Sequence, residues 1–172
     1  MVDLSPITTV EALERFRELP PAYRRELAGL WRGSGLPTGH PLDGVLENLG
    51  WFGKRFHPNL RADALLFQFG PNRLVALDPA YIPLGLTLHL GPIGRTRLAR
   101  HCFRFLQRPL RACGPTATLE MQDFEGIRSA AMVYDRQPIT DRFRRIGDDQ
   151  LFGMMSAHRD PRPYFFILTR QE

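Results

Sequence analysis

Hydrophobic residues near the N-terminus recur at helical spacing, which predicts an amphipathic helix. Thr8 followed by Glu11 fits a capping box at its start, and Pro20 ends it. Two shorter helices are predicted next, over residues 22–30 and 42–49. The apolar positions that define the first helix are Val10, Leu13, Phe16 and Leu19.

Downstream of these helices, short apolar runs alternate with turn-forming residues. In the last third of the chain, the runs are separated by Gly, Pro and Asp at intervals of about ten residues. This series of hairpins predicts an antiparallel meander, which leaves exposed edges unless the sheet curls and closes. The predicted strands are 64–69, 73–77, 84–90, 116–124, 127–134, 139–146, 151–157 and 164–170.

Residues 95–111 interrupt the β pattern with arginines spaced three or four apart, which predicts a basic amphipathic helix. Its opposite face carries Leu98, Cys102, Phe105 and Leu106. Two interpretations stay open: the helix packs on the sheet with its arginines in water, or it contacts an anionic membrane surface. We expect no nucleic-acid partner, because the aromatic residues face away from the arginines. The arginines assigned to the membrane or anion surface are Arg97, Arg100, Arg104 and Arg108.

Composition narrows the class of protein. With 172 residues, 43% hydrophobic and 24% charged, the chain fits a single globular domain over residues 1–172. No apolar run approaches the ~20 residues that span a bilayer, and the N-terminus does not resemble a signal peptide. Two cysteines, Cys102 and Cys113, cannot by themselves build a disulfide framework or a zinc site. We therefore expect a cytoplasmic protein with no metal and no cofactor.

The net charge of +5, from 23 basic and 18 acidic residues, favours anionic partners without naming one. Lys54 is the only lysine in the chain, and all other basic residues counted here are arginines. A pocket that accepts a carboxylate or phosphate head group would use Lys54 or Arg55 as its anchor. The simpler interpretation of both side chains is a solvated charge.

A glycine pair brackets a tryptophan in Gly29-Leu30-Trp31-Arg32-Gly33. Small closed barrels of the lipocalin kind often begin their first strand with Gly-x-Trp and stack an arginine of the last strand on that ring. We predict this cation–π contact between Trp31 and Arg170, which closes the base of the barrel. Trp31 as an ordinary core residue, or as the floor of a ligand cavity, remains an alternative. The predicted fold is mainly β (α+β): a small antiparallel lipocalin-like barrel with N-terminal helices and one additional amphipathic helix.

The chain resembles the bacterial GXWXG family, whose members carry a C-terminal domain of unknown function 4334. The resemblance covers residues 10–60 and 115–171. It implies a small β-barrel with a role in binding lipids or other hydrophobic ligands, and no established catalytic activity. The matching blocks are Gly29 to Gly33, His40-Pro41, Gly53 to Phe56, Ser129 to Asp135, Pro138 to Arg144, Gly153 to Met155 and Tyr164 to Arg170.

We therefore predict a binding protein for a hydrophobic small molecule or lipid, held in the barrel and exchanged at an anionic membrane. Alternation along the strands puts apolar side chains on both faces of residues 164–170, so this strand is expected to be covered on both sides. Small residues mixed with methionine, such as Ser129 and Gly153, fit an adaptable cavity or a tightly packed interior equally. The predicted ligand contacts are Trp31, Lys54, Phe56, Met132, Tyr134, Phe143, Met155 and Phe166.

An enzyme is the main alternative: an isomerase or hydrolase using His/Asp acid–base groups in the same cavity. The candidates are weak, namely His40, Asp135 and Asp141, and the sequence has neither a Gly-x-Ser-x-Gly elbow nor a His-Glu-x-x-His pair. Each has a simpler interpretation: a loop hydrogen bond for His40, a turn cap for Asp135, and a cross-strand salt bridge with neighbouring arginines for Asp141. A protein-interaction module that uses the basic helix is the third possibility.

Overall fold

We describe a computed structural model of the chain over residues 6–70, 73–82, 91–158 and 160–172; the predicted strand 84–90 lies outside these residues. Nine strands lie within them. Their bounds are β1 (Gly29–Gly35), β2 (Trp51–Phe56), β3 (Arg61–Gln68), β4 (Leu74–Ala76), β5 (Ala117–Phe124), β6 (Ile127–Tyr134), β7 (Ile139–Gly147), β8 (Gln150–Ala157) and β9 (Asp160–Gln171).

The strands form one antiparallel sheet in the order β2-β1-β9-β8-β7-β6-β5-β3-β4. β2 also pairs with β3, and this pairing closes eight of the described strands into a barrel. β4 and β5 share one edge of β3, with β4 at the end of β3 and β5 at its start. In the closed barrel each of these eight strands pairs with a neighbour on both sides, so few backbone groups are left at a free edge. The fold is the mainly β barrel predicted from the sequence.

Four α-helices lie in the described residues: α1 (Thr9–Glu18), α2 (Val45–Leu49), α3 (Gly91–Gly94) and α4 (Arg97–Leu106). The capping box is present at the start of α1, where Thr8 and Glu11 bond each other's backbone N–H groups. Among these helices, no helix is long and apolar enough to cross a bilayer. The predicted helix over 95–111 is confirmed, with shorter bounds.

The predicted helix over residues 22–30 is wrong. The described backbone there makes one turn, at residues 24–27, and β1 begins at Gly29. The chain after α1 is held to the barrel instead. Ser129 accepts from the N–H of Ala22 at 2.9 Å and donates to the carbonyl of Phe143 at 2.6 Å. These hydrogen bonds to the barrel wall outweigh the weak helical propensity of the segment.

Buried side chains form two groups, one on each face of the barrel wall. The inner cluster lies on the lumen side of the wall and includes Trp31, Phe143 and Phe166. The outer cluster packs α1 against β8 and β9 through Phe16 and Phe152, among others. Strand β9 contributes to both: its inner cluster members are Tyr164, Phe166 and Leu168, and its outer cluster members are Phe165 and Ile167. The expectation that this strand is covered on both sides is confirmed.

The two ends of the barrel differ. At one end, β1 and β3 finish and β2, β7 and β9 begin, and helices α2 and α4 lie there; we call it the helix end. At the opposite end, β1 begins and β9 finishes, which brings Trp31 beside Arg170 in the β1–β9 register. We call this the closing end. A ligand that enters the lumen would therefore meet different residues at the helix end and at the closing end of the barrel.

Candidate functional site

Strand β2 brings two large side chains to the same side of the barrel wall. Trp51 and Lys54 are three residues apart, so a regular strand would point them to opposite faces. The β2–β3 pairing shifts register on both sides of Gly53, which indicates a bulge. Gly53 has a φ of 146°, and a Cβ there would overlap the carbonyl oxygen of Trp31. The bulge and its glycine turn both side chains inward.

The Lys54 ammonium forms an ion pair across the lumen. Its Nζ lies 2.7 Å from Oδ2 of Asp141, and the two residues are 2% and 1% exposed. β2 and β7 are four strands apart in either direction around the barrel, so the pair joins opposite walls. Asp141 thus pairs with Lys54 and not with the neighbouring arginines on its own strand, which corrects the cross-strand interpretation.

Tyr134 completes this polar site from strand β6. Its hydroxyl donates to Oδ2 of Asp141 at 3.2 Å and accepts from Lys54 Nζ at 3.4 Å. Lys54 also donates to the carbonyl of Ala64 at 3.0 Å. Burial raises the pKa of Tyr134 well above its ordinary value of 10.0, and the Asp141 carboxylate raises it further. The phenol therefore stays protonated and donates at neutral pH.

Aromatic rings surround the ammonium. Lys54 Nζ lies 5.2 Å from the ring centroid of Phe166, 5.8 Å from that of Tyr134 and 5.9 Å from that of Trp51. These distances fall within the range of cation–π attraction. The site is therefore one charged, hydrogen-bonded group set into apolar walls, which is the usual construction of a small-molecule pocket.

All eight predicted ligand contacts face the lumen. Lys54 is the polar member, and the other seven belong to the inner cluster or pack against it. Two of them flank the carboxylate, because Asp141 pairs with Met132 on one side and with Met155 on the other. Arg55, the alternative anchor, lies outside, where its guanidinium is 3.6 Å from the Asp63 carboxylate. The eight residues are Trp31, Lys54, Phe56, Met132, Tyr134, Phe143, Met155 and Phe166.

Two of the small residues serve packing. A Cβ at Gly153 would overlap the Phe166 ring, so this glycine leaves room for the aromatic side chain next to it. The Ser129 hydroxyl is taken up by the hydrogen bonds to Ala22 and Phe143 described above. Neither residue therefore supplies the open space that a cavity would need.

Trp31 and Arg170 make the contact predicted for the closing end. The guanidinium carbon lies 4.2 Å from the centroid of the indole ring. Arg170 also donates to the carbonyls of Ala28 at 2.8 Å and Glu26 at 2.7 Å, while Trp31 Nε1 donates to Leu27 at 2.7 Å. Arg170 and the Trp31 indole thus join the loop before β1 to the end of β9.

The three weak acid–base candidates lie in different places. Asp141 is in the polar site of the lumen. Asp135 forms an ion pair at the surface, with its Oδ2 2.5 Å from Arg61 Nη2, and this bond lowers the pKa of Asp135 below its ordinary value. Asp135 therefore acts as a partner of Arg61 and not as the turn cap suggested by the sequence.

His40 is buried at the helix end, in the connection between β1 and α2. Its Nδ1 accepts from the N–H of Leu42 at 3.1 Å, its Nε2 lies 3.8 Å from Oδ2 of Asp160, and its ring centroid is 5.3 Å from that of Tyr164. Burial lowers the pKa of His40 below its ordinary value of 6.5, although Asp160 opposes this effect. The neutral imidazole thus packs beside Tyr164 at this end of the barrel.

Helix α4 exposes the face that the sequence suggested would pack on the barrel. Leu98 is 71% exposed, Phe105 70% and Leu106 52%. The helix contacts the core mainly through Phe103, whose ring centroid lies 5.0 Å from that of Phe67 on β3. The interpretation of an apolar face buried against the sheet is therefore wrong. Arginines and apolar side chains of the helix are instead exposed together, and we call this accessible region the α4 surface. Its residues are Arg97, Leu98, Arg100, Arg104, Phe105 and Leu106.

Sequence reasoning missed two lumen residues with polar atoms, Trp51 and Tyr164. Nε1 of Trp51 and the Tyr164 hydroxyl are buried and have no hydrogen-bond partner among the described residues. Burial raises the pKa of Tyr164 well above 10.0. The alternation in β9 places Tyr164 on the same face as Phe166, so that signal was available. No alternation predicts Trp51, because the bulge at Gly53 breaks it.

Comparisons with known proteins agree with this architecture. The family model described as GXWXG protein matches residues 14–70, and the one described as a domain of unknown function (DUF4334) matches residues 115–170. The two matches confirm the resemblance that the motifs indicated. Its fold is similar to that of a protein from Thermomonospora curvata known from a crystal structure, with 27% identity and a TM-score of 0.71, over 97% of this chain and 90% of that chain. No curated protein matches the sequence significantly.

Proposed function

We propose that this protein binds a lipid-like or other hydrophobic small molecule in the barrel lumen and exchanges it at an anionic membrane surface. The observation that carries the binding role is the Lys54–Asp141–Tyr134 site enclosed by aromatic rings. Apolar walls supply binding energy through the hydrophobic effect, while a few fixed polar groups orient the ligand. A barrel that needed only stability would fill its centre with apolar side chains, because a buried ion pair adds little net stability.

The helix end offers a route toward this site. A surface pocket of about 230 Å³ lies there, lined in part by Asp78, Cys113, Thr116 and Tyr134. Tyr134 is also the residue whose hydroxyl reaches Asp141. At the closing end, a pocket of the same volume is lined in part by the stacked Trp31 and Arg170 side chains. We propose entry at the helix end, because entry at the closing end would break the Trp31–Arg170 stack, whereas entry through the first pocket displaces the Tyr134 side chain.

The α4 surface supports the membrane role. Its arginines attract anionic head groups, each contributing about 1 kcal/mol near such a surface, and its exposed Leu98 and Phe105 fit the boundary between head groups and acyl chains. Helix α4 also contacts α2, which places it at the end of the barrel where Tyr134 and the pocket lie. Docking through α4 would place the route to Tyr134 next to the bilayer.

The binding role is tested by native mass spectrometry and organic extraction of the purified protein. We expect a co-purified apolar molecule, or saturable uptake of a fluorescent apolar probe by the delipidated protein. Phe166→Ala should reduce this uptake, because Phe166 lies against the Lys54 ammonium. A protein that carries nothing and takes up no probe would refute the binding role.

The membrane role is tested by flotation with vesicles containing phosphatidylserine. Arg100→Glu/Arg104→Glu should lower the bound fraction by about tenfold or more, since two attractive charges become repulsive. The matched control is Arg25→Glu/Arg128→Glu, which makes the same change in net charge at two exposed arginines outside α4. Equal flotation of both variants and the unmodified protein would refute membrane docking and favour a protein partner for this helix.

A further inference from the structure

The charge balance in the lumen restricts the ligand. Lys54 alone would favour a carboxylate or phosphate head group, as the sequence suggested. In the structure, Asp141 already neutralises it at 2.7 Å, and both groups are buried. A second anion here would face the Asp141 carboxylate in a medium of low polarity, where an uncompensated charge is strongly disfavoured. The site therefore selects against anionic head groups.

Hydrogen-bonding capacity in the lumen remains open. Asp141 Oδ1 and Trp51 Nε1 are buried, and neither has a hydrogen-bond partner in the described part of the chain. The first atom only accepts a hydrogen bond and the second only donates. Both groups lie around the same ammonium, since Lys54 Nζ is bonded to Asp141 and faces the Trp51 ring. Burying a polar atom without a hydrogen-bond partner costs free energy. The site therefore favours a ligand that supplies a donor for Asp141 Oδ1 and an acceptor for Trp51 Nε1.

We propose that the ligand of this barrel is a neutral amphiphile whose head group both donates and accepts a hydrogen bond, as a long-chain alcohol does. The hydroxyl donates to Asp141 Oδ1 and accepts from Trp51 Nε1, while the chain packs against the inner cluster. A carboxylate or an ether has no proton to donate to Asp141. This inference rests on the proposed binding role and adds the chemical class of the ligand.

The test compares three ligands with one saturated chain: the primary alcohol, its methyl ether and the carboxylic acid. Binding is followed by tryptophan fluorescence, because both tryptophans of the chain lie in the lumen. At neutral pH the alcohol should bind about tenfold or more tightly than either of the others, the effect of one lost hydrogen bond to a buried group. An acid or ether that binds as tightly as the alcohol would overturn the inference but leave the binding role intact. Failure of all three to bind would count against the proposed function itself.

Two variants sharpen the test. Asp141→Asn removes the negative charge with little change of shape and leaves the Lys54 cation uncompensated, so the acid should become the tightest ligand. Trp51→Phe keeps a ring but removes the donor, and it should weaken the alcohol and the ether severalfold alike, because the oxygen of each accepts from Trp51 Nε1. Circular dichroism controls for folding. If Asp141→Asn does not fold, Trp51→Phe and the unmodified protein still decide, and an unchanged affinity for the alcohol in Trp51→Phe would refute the role of the indole.

Discussion

Two buried cations lie on opposite faces of the barrel wall, and their surroundings differ. In the inner cluster, Lys54 is paired with Asp141 at 2.7 Å. In the outer cluster, Arg144 lies under α1 with its guanidinium 5.0 Å from the Phe16 ring centroid, and no carboxylate is within ion-pair distance among the described residues. Burial lowers the pKa of Arg144. Its Nη2 donates to the carbonyl of Phe124 at 3.4 Å, and its Nε has no hydrogen-bond partner among the described residues, so the outer cation is held by packing and one backbone carbonyl.

This difference separates a structural core from a candidate binding site. The outer cluster joins α1 to the barrel through aromatic edge contacts, such as Phe16 with Phe152 at 6.0 Å between ring centroids. The inner cluster instead keeps a neutralised ion pair with an unused acceptor on Asp141 and an unused donor on Trp51. A site with no net charge, in which a hydrogen-bond donor and an acceptor lack partners, is suited to binding a neutral polar group of a ligand.

Removing one partner of the Lys54–Asp141 ion pair should cause the largest loss in the free energy of unfolding. Lys54→Met leaves Asp141 buried without its cation and should lower the free energy of unfolding by about 3–5 kcal/mol. Lys54→Met/Asp141→Leu removes both charges and should recover most of this loss. Arg144→Met leaves no buried carboxylate behind and should cost only about 1–2 kcal/mol. Urea unfolding measures all three, and equal losses for Lys54→Met and Arg144→Met would contradict the contrast between the clusters.

Adjacent phenylalanines on β9 separate stability from binding. Phe165 and Phe166 are both buried, one in the outer and the other in the inner cluster. Either one changed to alanine should cost about 3–5 kcal/mol, because each leaves a cavity in a packed group. Only Phe166→Ala should also weaken ligand binding, measured by native mass spectrometry below the unfolding temperature. Loss of binding in folded Phe165→Ala would show that the outer cluster takes part in the site.

The local pattern predicted much of this arrangement. Alternation gave both faces of β9, and in β7 it places Asp141 on the same face as Ile139 and Phe143, inside the barrel. The Gly-x-Trp motif with a terminal arginine predicted the stack of Trp31 on Arg170. These features depend on residues close in sequence or on strands that pair directly.

The rest depends on three-dimensional closure. Lys54 meets Asp141 only because the β2–β3 pairing sets β2 opposite β7, and sequence alternation carries no information about that distance. The bulge at Gly53 also breaks the alternation that would locate Trp51. For α4, the helical spacing gave the arginine face correctly but not which side contacts the barrel, because Phe103 alone makes the ring contact.

A glycine substitution tests how tightly the inner cluster is packed. In Gly153→Ala the new methyl group would overlap the Phe166 ring, and relief of this overlap should cost about 1–3 kcal/mol. Gly114→Ala is the matched control, since a Cβ there meets nothing within 4 Å, and its effect should stay within about 0.5 kcal/mol. Thermal unfolding measures both. A Gly153→Ala protein as stable as the control would mean that the ring has free space beside it.

The pH dependence of His40 should give the smallest effect, and it probes the helix end of the inner cluster. The unfolded chain takes up a proton at His40 near pH 6.5, whereas the folded protein does so only at lower pH because the imidazole is buried. The unfolded state therefore binds more protons between these two pKa values, and the stability contributed by neutral His40 is complete above pH 6.5 and is lost as pH falls toward the folded pKa. His40→Gln should flatten this part of the stability–pH curve, and NMR titration of the imidazole should show its midpoint below 6.5. A midpoint at or above 6.5 would mean that Asp160 outweighs burial, so that the helix end carries a charged histidine beside Tyr164.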